Sequence, residues 1–180
     1  MAGISWWFGF PGVVLHEFAH YIACVLTGVR VFKVKFFSFK GPAYVVHARP
    51  NVLQGIIISI APFFLGSAFG YWLLLSANSM FGVQNAAVVF FYWLAISILF
   101  FSFPSRADAR NAFNSLIGFY ERKIFGHNSI LSKLAWTITL PIIFLPCILA
   151  IGILLVFNFS PILRMLWVFF MVLLSFGQFS

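Results

Sequence analysis

His16, Glu17 and His20 stand in the run His16-Glu17-Phe18-Ala19-His20, the pattern H-E-x-x-H. On a helix, positions i and i+4 share one face, so this spacing presents two imidazoles one above the other with a carboxylate beside them. Two imidazoles so placed suit zinc, and the adjacent carboxylate is positioned to take a proton from water. The run lies inside an apolar stretch of the chain. Ionisable side chains in hydrocarbon are costly and persist where they pair or act, so the placement points to zinc-dependent hydrolysis within or at the edge of a bilayer.

Two histidines do not complete such a centre; a catalytic zinc has three protein ligands and one open position. The remaining candidates are Asp108, Glu121, His47, His127 and Cys24. Asp108 is the expected third ligand. It follows an apolar span just after Pro104, on the side where the first span is accessible, and a new helix can begin there. Its competing role is a helix N-cap or an ion-pair partner of Arg106 or Arg110. Glu121 is followed by Arg122 and Lys123 and reads as a solvated charge. His47 and His127 fall in polar loops and read as surface residues, with His47 able to contact a substrate. Cys24 is four residues beyond His20, where a sulfur ligand is conceivable, but a small buried hydrophobe explains it equally well. Neither Cys24 nor Cys147 belongs to a C-x-x-C pair, so both are expected as reduced, buried thiols.

The elements that must hold these residues are set by composition. Of 180 residues, 63% are hydrophobic and only 8% charged, against about 25% charged in soluble domains. An all-α, polytopic membrane protein of about five transmembrane helices is expected, with a small membrane-associated β-hairpin and no sizeable soluble domain. The spans are expected at residues 4–27, 52–76, 86–103, 131–157 and 161–176. Trp6 and Trp7 would anchor the first span at the interface, and Gly28 would stop it. The first apolar run carries the motif, so it is expected to be retained rather than cleaved as a signal peptide. In the hairpin, Phe32, Val34 and Phe36 alternate with Lys33 and Lys35, Gly41-Pro42 marks a turn, and residues 44–47 form the return strand. After Pro104, a further helix is expected to about residue 120, then a polar loop over 121–129. Residues 1–125 would form the core carrying the site, and 126–180 two C-terminal helices.

The net charge is +8, from 11 basic and 3 acidic residues. The charges lie in loops between apolar spans, which points to topology and anionic lipid headgroups and away from nucleic acid. The five-span arrangement puts all basic residues except Arg164 on one face. That face is expected to be cytoplasmic, with the N-terminus outside and the site opening toward the cytoplasm.

Val14-Leu15-His16-Glu17-Phe18-Ala19-His20 in an early span, with an Asp two spans later, resembles the site-2 proteases, the intramembrane zinc metalloprotease family. The resemblance covers about the first 120 residues. It implies a three-helix core, Zn2+ held by His16, His20 and Asp108, Glu17 as the catalytic base, and a membrane-embedded protein or peptide as substrate. It also implies short strands near the site, where an unwound substrate segment can add to a strand edge. Two departures stand out. The family's Asp usually precedes Gly, whereas Ala109 follows Asp108; and Leu65 occupies the place of a family Asn after Ala61-Pro62. Asn111, Ser105 and His47 are the residues left to contact the substrate or an oxyanion. The competing readings are a non-proteolytic zinc-binding subunit of a membrane protein complex and a metal or proton transporter. The shortage of further intramembrane carboxylates weighs against the transporter.

Overall fold

A computed structural model describes residues 4–38, 41–80, 86–126 and 129–178. The expected residues Lys40 and His127 and the side chains of Trp6, Trp7, Lys123 and Cys147 lie outside the described set. The order of elements is α1 (Ile4–Leu26), β1 (Val31–Lys35), β2 (Tyr44–His47), α2 (Val52–Ser79), α3 (Ala86–Phe101), α4 (Arg106–Phe125), α5 (Ile130–Phe159) and α6 (Pro161–Phe176). The fold is mostly helical with one two-stranded sheet.

Helices α1, α2 and α3 pack on one another. Small residues set their spacing: a Cβ on Gly12 would lie 2.2 Å from the Ser97 carbonyl oxygen, and one on Gly66 2.7 Å from Ser102 Cβ. Such close approach lets helices associate by van der Waals contact where no water is available to drive them together. Leu73, Leu74, Ala95, Ile98 and Leu99 form the main apolar cluster, and Met171 of α6 joins it. Helix α4 packs on α2 and α5 packs on α4. Trp167 of α6 reaches Phe63 and Phe103, with ring centroids 5.3 and 6.1 Å away, so α6 braces the junction between α3 and α4.

That junction is a break. Pro104 has no N–H to continue α3, and Ser105 caps the next helix, which leaves at an angle of 41°. The helix then runs to Phe125, so Glu121 and Arg122, expected in a loop, are helical. Glu, Arg and Lys are good helix formers, and the chain leaves the helix only at Gly126, whose N–H still reaches the Arg122 carbonyl at 3.0 Å.

Among the described residues, two helices, Phe8–Leu26 and Val52–Ser79, are long and apolar enough to cross a membrane; counting the bent pair of α3 and α4 as one span makes three. These helices are consistent with a membrane protein; the expected count of five goes beyond what the described residues show. Helix α6 is apolar but has only 16 residues. The expected fourth span runs through α5, many of whose side chains lie outside the described set.

Gly28 ends α1 with φ of 73°, a left-handed conformation that suits glycine, and Val29 folds back to bond the Cys24 carbonyl at 2.8 Å. The chain then enters the expected antiparallel hairpin. Its register pairs Val31 with His47 but Lys33 with Val46, so Phe32 is an extra residue. This bulge breaks the expected alternation of residues 32, 34 and 36. Phe32 is 61% exposed with the Arg30 guanidinium 5.6 Å above its ring, while Phe36 packs on Phe18 and Tyr21 of α1 at 5.8 and 6.0 Å. Strand β2 is thereby held beside the motif helix.

Candidate metal centre

His16 and His20 lie on one face of α1, with their Nε2 atoms 3.2 Å apart. Asp108, in the first turn of α4, meets both: Oδ2 is 3.4 Å from His16 Nε2, and Oδ1 is 3.0 Å from His20 Nε2. His20 and Asp108 are buried and His16 nearly so. Among the described residues, these three form the one His/Cys/Asp/Glu group placed to hold a metal ion.

The backbone fixes which imidazole nitrogen faces inward. His16 Nδ1 lies 2.9 Å from the Phe101 carbonyl oxygen, and His20 Nδ1 lies 2.8 Å from the Ile58 carbonyl oxygen. A carbonyl only accepts, so each Nδ1 carries the proton and donates it. The Nε2 atoms of the neutral rings then turn lone pairs toward each other and toward a carboxylate. Such a convergence of acceptors needs positive charge at its centre.

Both carbonyls are available for local reasons. Within α2, Ile58 would accept from the residue four positions on, but that residue is Pro62, which has no N–H. At the end of α3, Phe101 has Pro104 three residues on and Ser105 four residues on. Pro104 cannot donate, and the Ser105 N–H is committed to Asp108 Oδ2 at 2.6 Å. The rings thus take up backbone acceptors that the helices leave vacant.

Asp108 is the N3 partner in the cap of α4, where Ser105 rather than Asp108 is the N-cap residue. Its carboxylate accepts from the Ser105 N–H while its own N–H donates to Ser105 Oγ at 3.2 Å, a reciprocal capping box. The same carboxylate meets the two imidazoles. Ser59 of α2 adds a bond from its hydroxyl to the Asp108 carbonyl oxygen at 2.9 Å, which ties α4 to α2 at this residue.

These residues fit zinc. Tetrahedral ligation at about 2.0–2.1 Å places donor atoms about 3.3–3.4 Å apart. The two Nε2 atoms are 3.2 Å apart, and each has a different Asp108 oxygen nearby, Oδ2 at 3.4 Å from His16 and Oδ1 at 3.0 Å from His20; one ligand atom from each residue lies within 4.8 Å of the others. The donor set, two imidazoles and one carboxylate, is one that zinc accepts. The Nδ1 bonds to carbonyls supply the outer contacts that orient histidine ligands.

A cavity of about 330 Å³ opens beside this group. Glu17, His20 and Asp108 line one side, and Tyr44, Val45 and His47 of β2 line the other. Ser105 and Asn111 also line it, so the expected substrate-contacting residues Asn111, Ser105 and His47 all reach the same space. His47 Nδ1 donates to the Ala48 carbonyl at 2.8 Å. Cys24 does not join the metal group: it is fully buried in an apolar cluster with Ala23, Val29 and Ile58. Glu121 is exposed, 13 residues and about 20 Å along α4 from Asp108. Leu65, in place of the family Asn, is an exposed apolar residue and does not line the cavity.

Ile58, Ser59, Pro62 and Phe101 were not legible as site residues. The only signal in the sequence is Pro62, whose missing N–H frees a carbonyl four residues back. Set against models of protein families, curated proteins and solved structures, the chain matches none.

Proposed function

We propose that this protein is an intramembrane zinc metallopeptidase of the site-2 protease type, which hydrolyses peptide bonds of membrane-embedded substrates. The observation that carries the reading is the convergence of His16, His20 and Asp108 within zinc-ligand distances, beside a cavity that Glu17 lines. His16, His20 and Asp108 hold the ion, and the Phe101 and Ile58 carbonyls keep both rings turned toward it. When bound, zinc supplies Lewis acidity that lowers the pKa of water toward neutrality and polarises a carbonyl.

Glu17 accepts the proton of the attacking water and delivers it to the leaving amine nitrogen. The unpaired edge of β2 aligns an unwound substrate segment along the cavity. The carboxamide of Asn111 is the donor available to a developing oxyanion, in place of the Asn missing at Leu65.

The orientation belongs to the same proposal: the basic face is cytoplasmic and the site opens toward it. In support, Arg49 of the first basic segment and Arg122 of the second meet across Gly118, so the two segments share one end of the molecule. Anionic headgroups are the expected neighbours of that face.

The second reading, a zinc-binding subunit without proteolytic activity, is favoured by the small size of the chain and by Leu65 in place of the family Asn. A structural metal requires no base, so Glu17 separates the two. The test is cleavage of a transmembrane peptide by the reconstituted protein and by its Glu17→Gln variant. The variant is expected to keep its metal and to lose at least about 100-fold in rate. Cleavage by Glu17→Gln at the wild-type rate would remove the proposed base.

A further inference from the structure

A second cavity, of about 400 Å³, continues from the first. The two share Val45, His47, Pro50 and Asn111 as lining residues. Beyond these, Arg49, Asn114 and Ser115 line the second cavity, so it carries a guanidinium and the Asn114 carboxamide as donors, while the Ser115 hydroxyl donates to the Asn111 carbonyl at 2.9 Å.

Gly118, next along α4 from the lining residues, seats the Arg49 side chain. A Cβ there would lie 2.4 Å from Arg49 Nη2 and 3.8 Å from Arg122 Nη1. The absence of a side chain lets the Arg49 guanidinium rest on α4 beside that of Arg122. Both arginines are exposed, and among the described residues neither makes an ion pair with a carboxylate. Two neighbouring guanidiniums without a carboxylate partner, beside the Asn114 carboxamide, favour an anion.

We infer that the Arg49–Arg122 end of this cavity is a subsite for an acidic side chain of the bound peptide. A lipid phosphate would satisfy the same guanidiniums. A peptide is favoured because the cavity is continuous with the one that Glu17 and Asp108 line, along strand β2. The spacing follows from α4. From Asp108 to Gly118 is 10 residues, about 15 Å at about 1.5 Å each. An extended peptide covers that distance in about four to five residues at about 3.4 Å each. The preferred substrate therefore carries Asp or Glu about four or five residues from the bond at the metal centre. This inference rests on the hydrolase reading for the identity of that bond.

The test uses Glu17→Gln protein in phosphatidylcholine nanodiscs and fluorescent peptides that carry Glu or Gln at the fourth and fifth positions on either side of a central bond. The Glu peptide is expected to bind about three- to tenfold more tightly, with the difference shrinking as salt rises. Arg49→Ala on the same background should abolish the preference. So should Gly118→Ala, which displaces only the flexible end of Arg49 and favours the helix. Equal binding of the two peptides, or a preference that survives Arg49→Ala, overturns the subsite. Arg49-dependent binding of phosphatidylglycerol vesicles with no peptide preference also overturns it and assigns the guanidiniums to a headgroup. Wild-type protein run in parallel separates the two readings. An Arg49-dependent preference without any cleavage leaves a peptide-binding site and refutes the hydrolase; cleavage of both peptides with equal binding keeps the hydrolase and refutes the subsite.

Discussion

Pro62 and His20 meet through one oxygen atom. The pyrrolidine nitrogen of Pro62 has nothing to give the Ile58 carbonyl, and the Nδ1–H of His20 takes that acceptor at 2.8 Å. A proline that costs α2 one hydrogen bond thus sets the orientation of a ring on α1. The break after α3 does the same for His16, because the Ser105 N–H that would serve Phe101 is drawn to Asp108. The candidate metal centre is therefore assembled partly from what two helices lack.

Pro62→Ala tests this relationship. Alanine returns an N–H to Ile58, which then competes with His20 for the carbonyl. The variant is expected to remain folded and to bind zinc about 10- to 100-fold more weakly, as losses of outer contacts to histidine ligands do. Competition against a chelator of known affinity measures it, and unchanged affinity would show that the carbonyl does not position the ring.

Asp108 completes the capping box of Ser105 and is the proposed third ligand, and two substitutions separate the roles. Asp108→Asn retains an acceptor for the Ser105 N–H but loses the charge; the helix should hold while zinc affinity falls by at least about 100-fold. Asp108→Ala loses the cap as well, at a further cost of about 1 kcal/mol in stability. Thermal melts beside zinc titrations distinguish them. Full zinc affinity in Asp108→Asn would leave the residue a cap alone.

Much of the site was legible because its chemistry is local. His16, Glu17 and His20 are fixed by their spacing on one helix, and Asp108 by its place after Pro104. The hairpin was legible from alternation and from Gly41-Pro42, but the bulge at Phe32 was not, since strand register depends on how Phe36 docks against α1. The contributions of Ile58 and Phe101 are backbone atoms, whose availability depends on where neighbouring N–H groups go. The charges at residues 121–123 suggest a loop, but Glu, Arg and Lys favour helix and α4 continues to Phe125.

Close approach of α1 to α3 makes Gly12 sensitive. The nearest atom to an added Cβ is a backbone oxygen, which cannot swing aside. Gly12→Val is expected to lower stability by about 2 kcal/mol or more and to move His16 away from the Phe101 carbonyl. Melting temperature and zinc content should fall together; a fully stable variant would contradict the packing described for α1 and α3.

The central claim is that His16, His20 and Asp108 hold zinc, and the most direct measurement is the zinc content of detergent-purified protein after metal-replete preparation, wild type beside His16→Ala/His20→Ala. About one zinc per chain in the wild type and none in the double variant is the expected result. A folded wild-type protein that retains no zinc, or a double variant that retains all of it, would contradict the assignment.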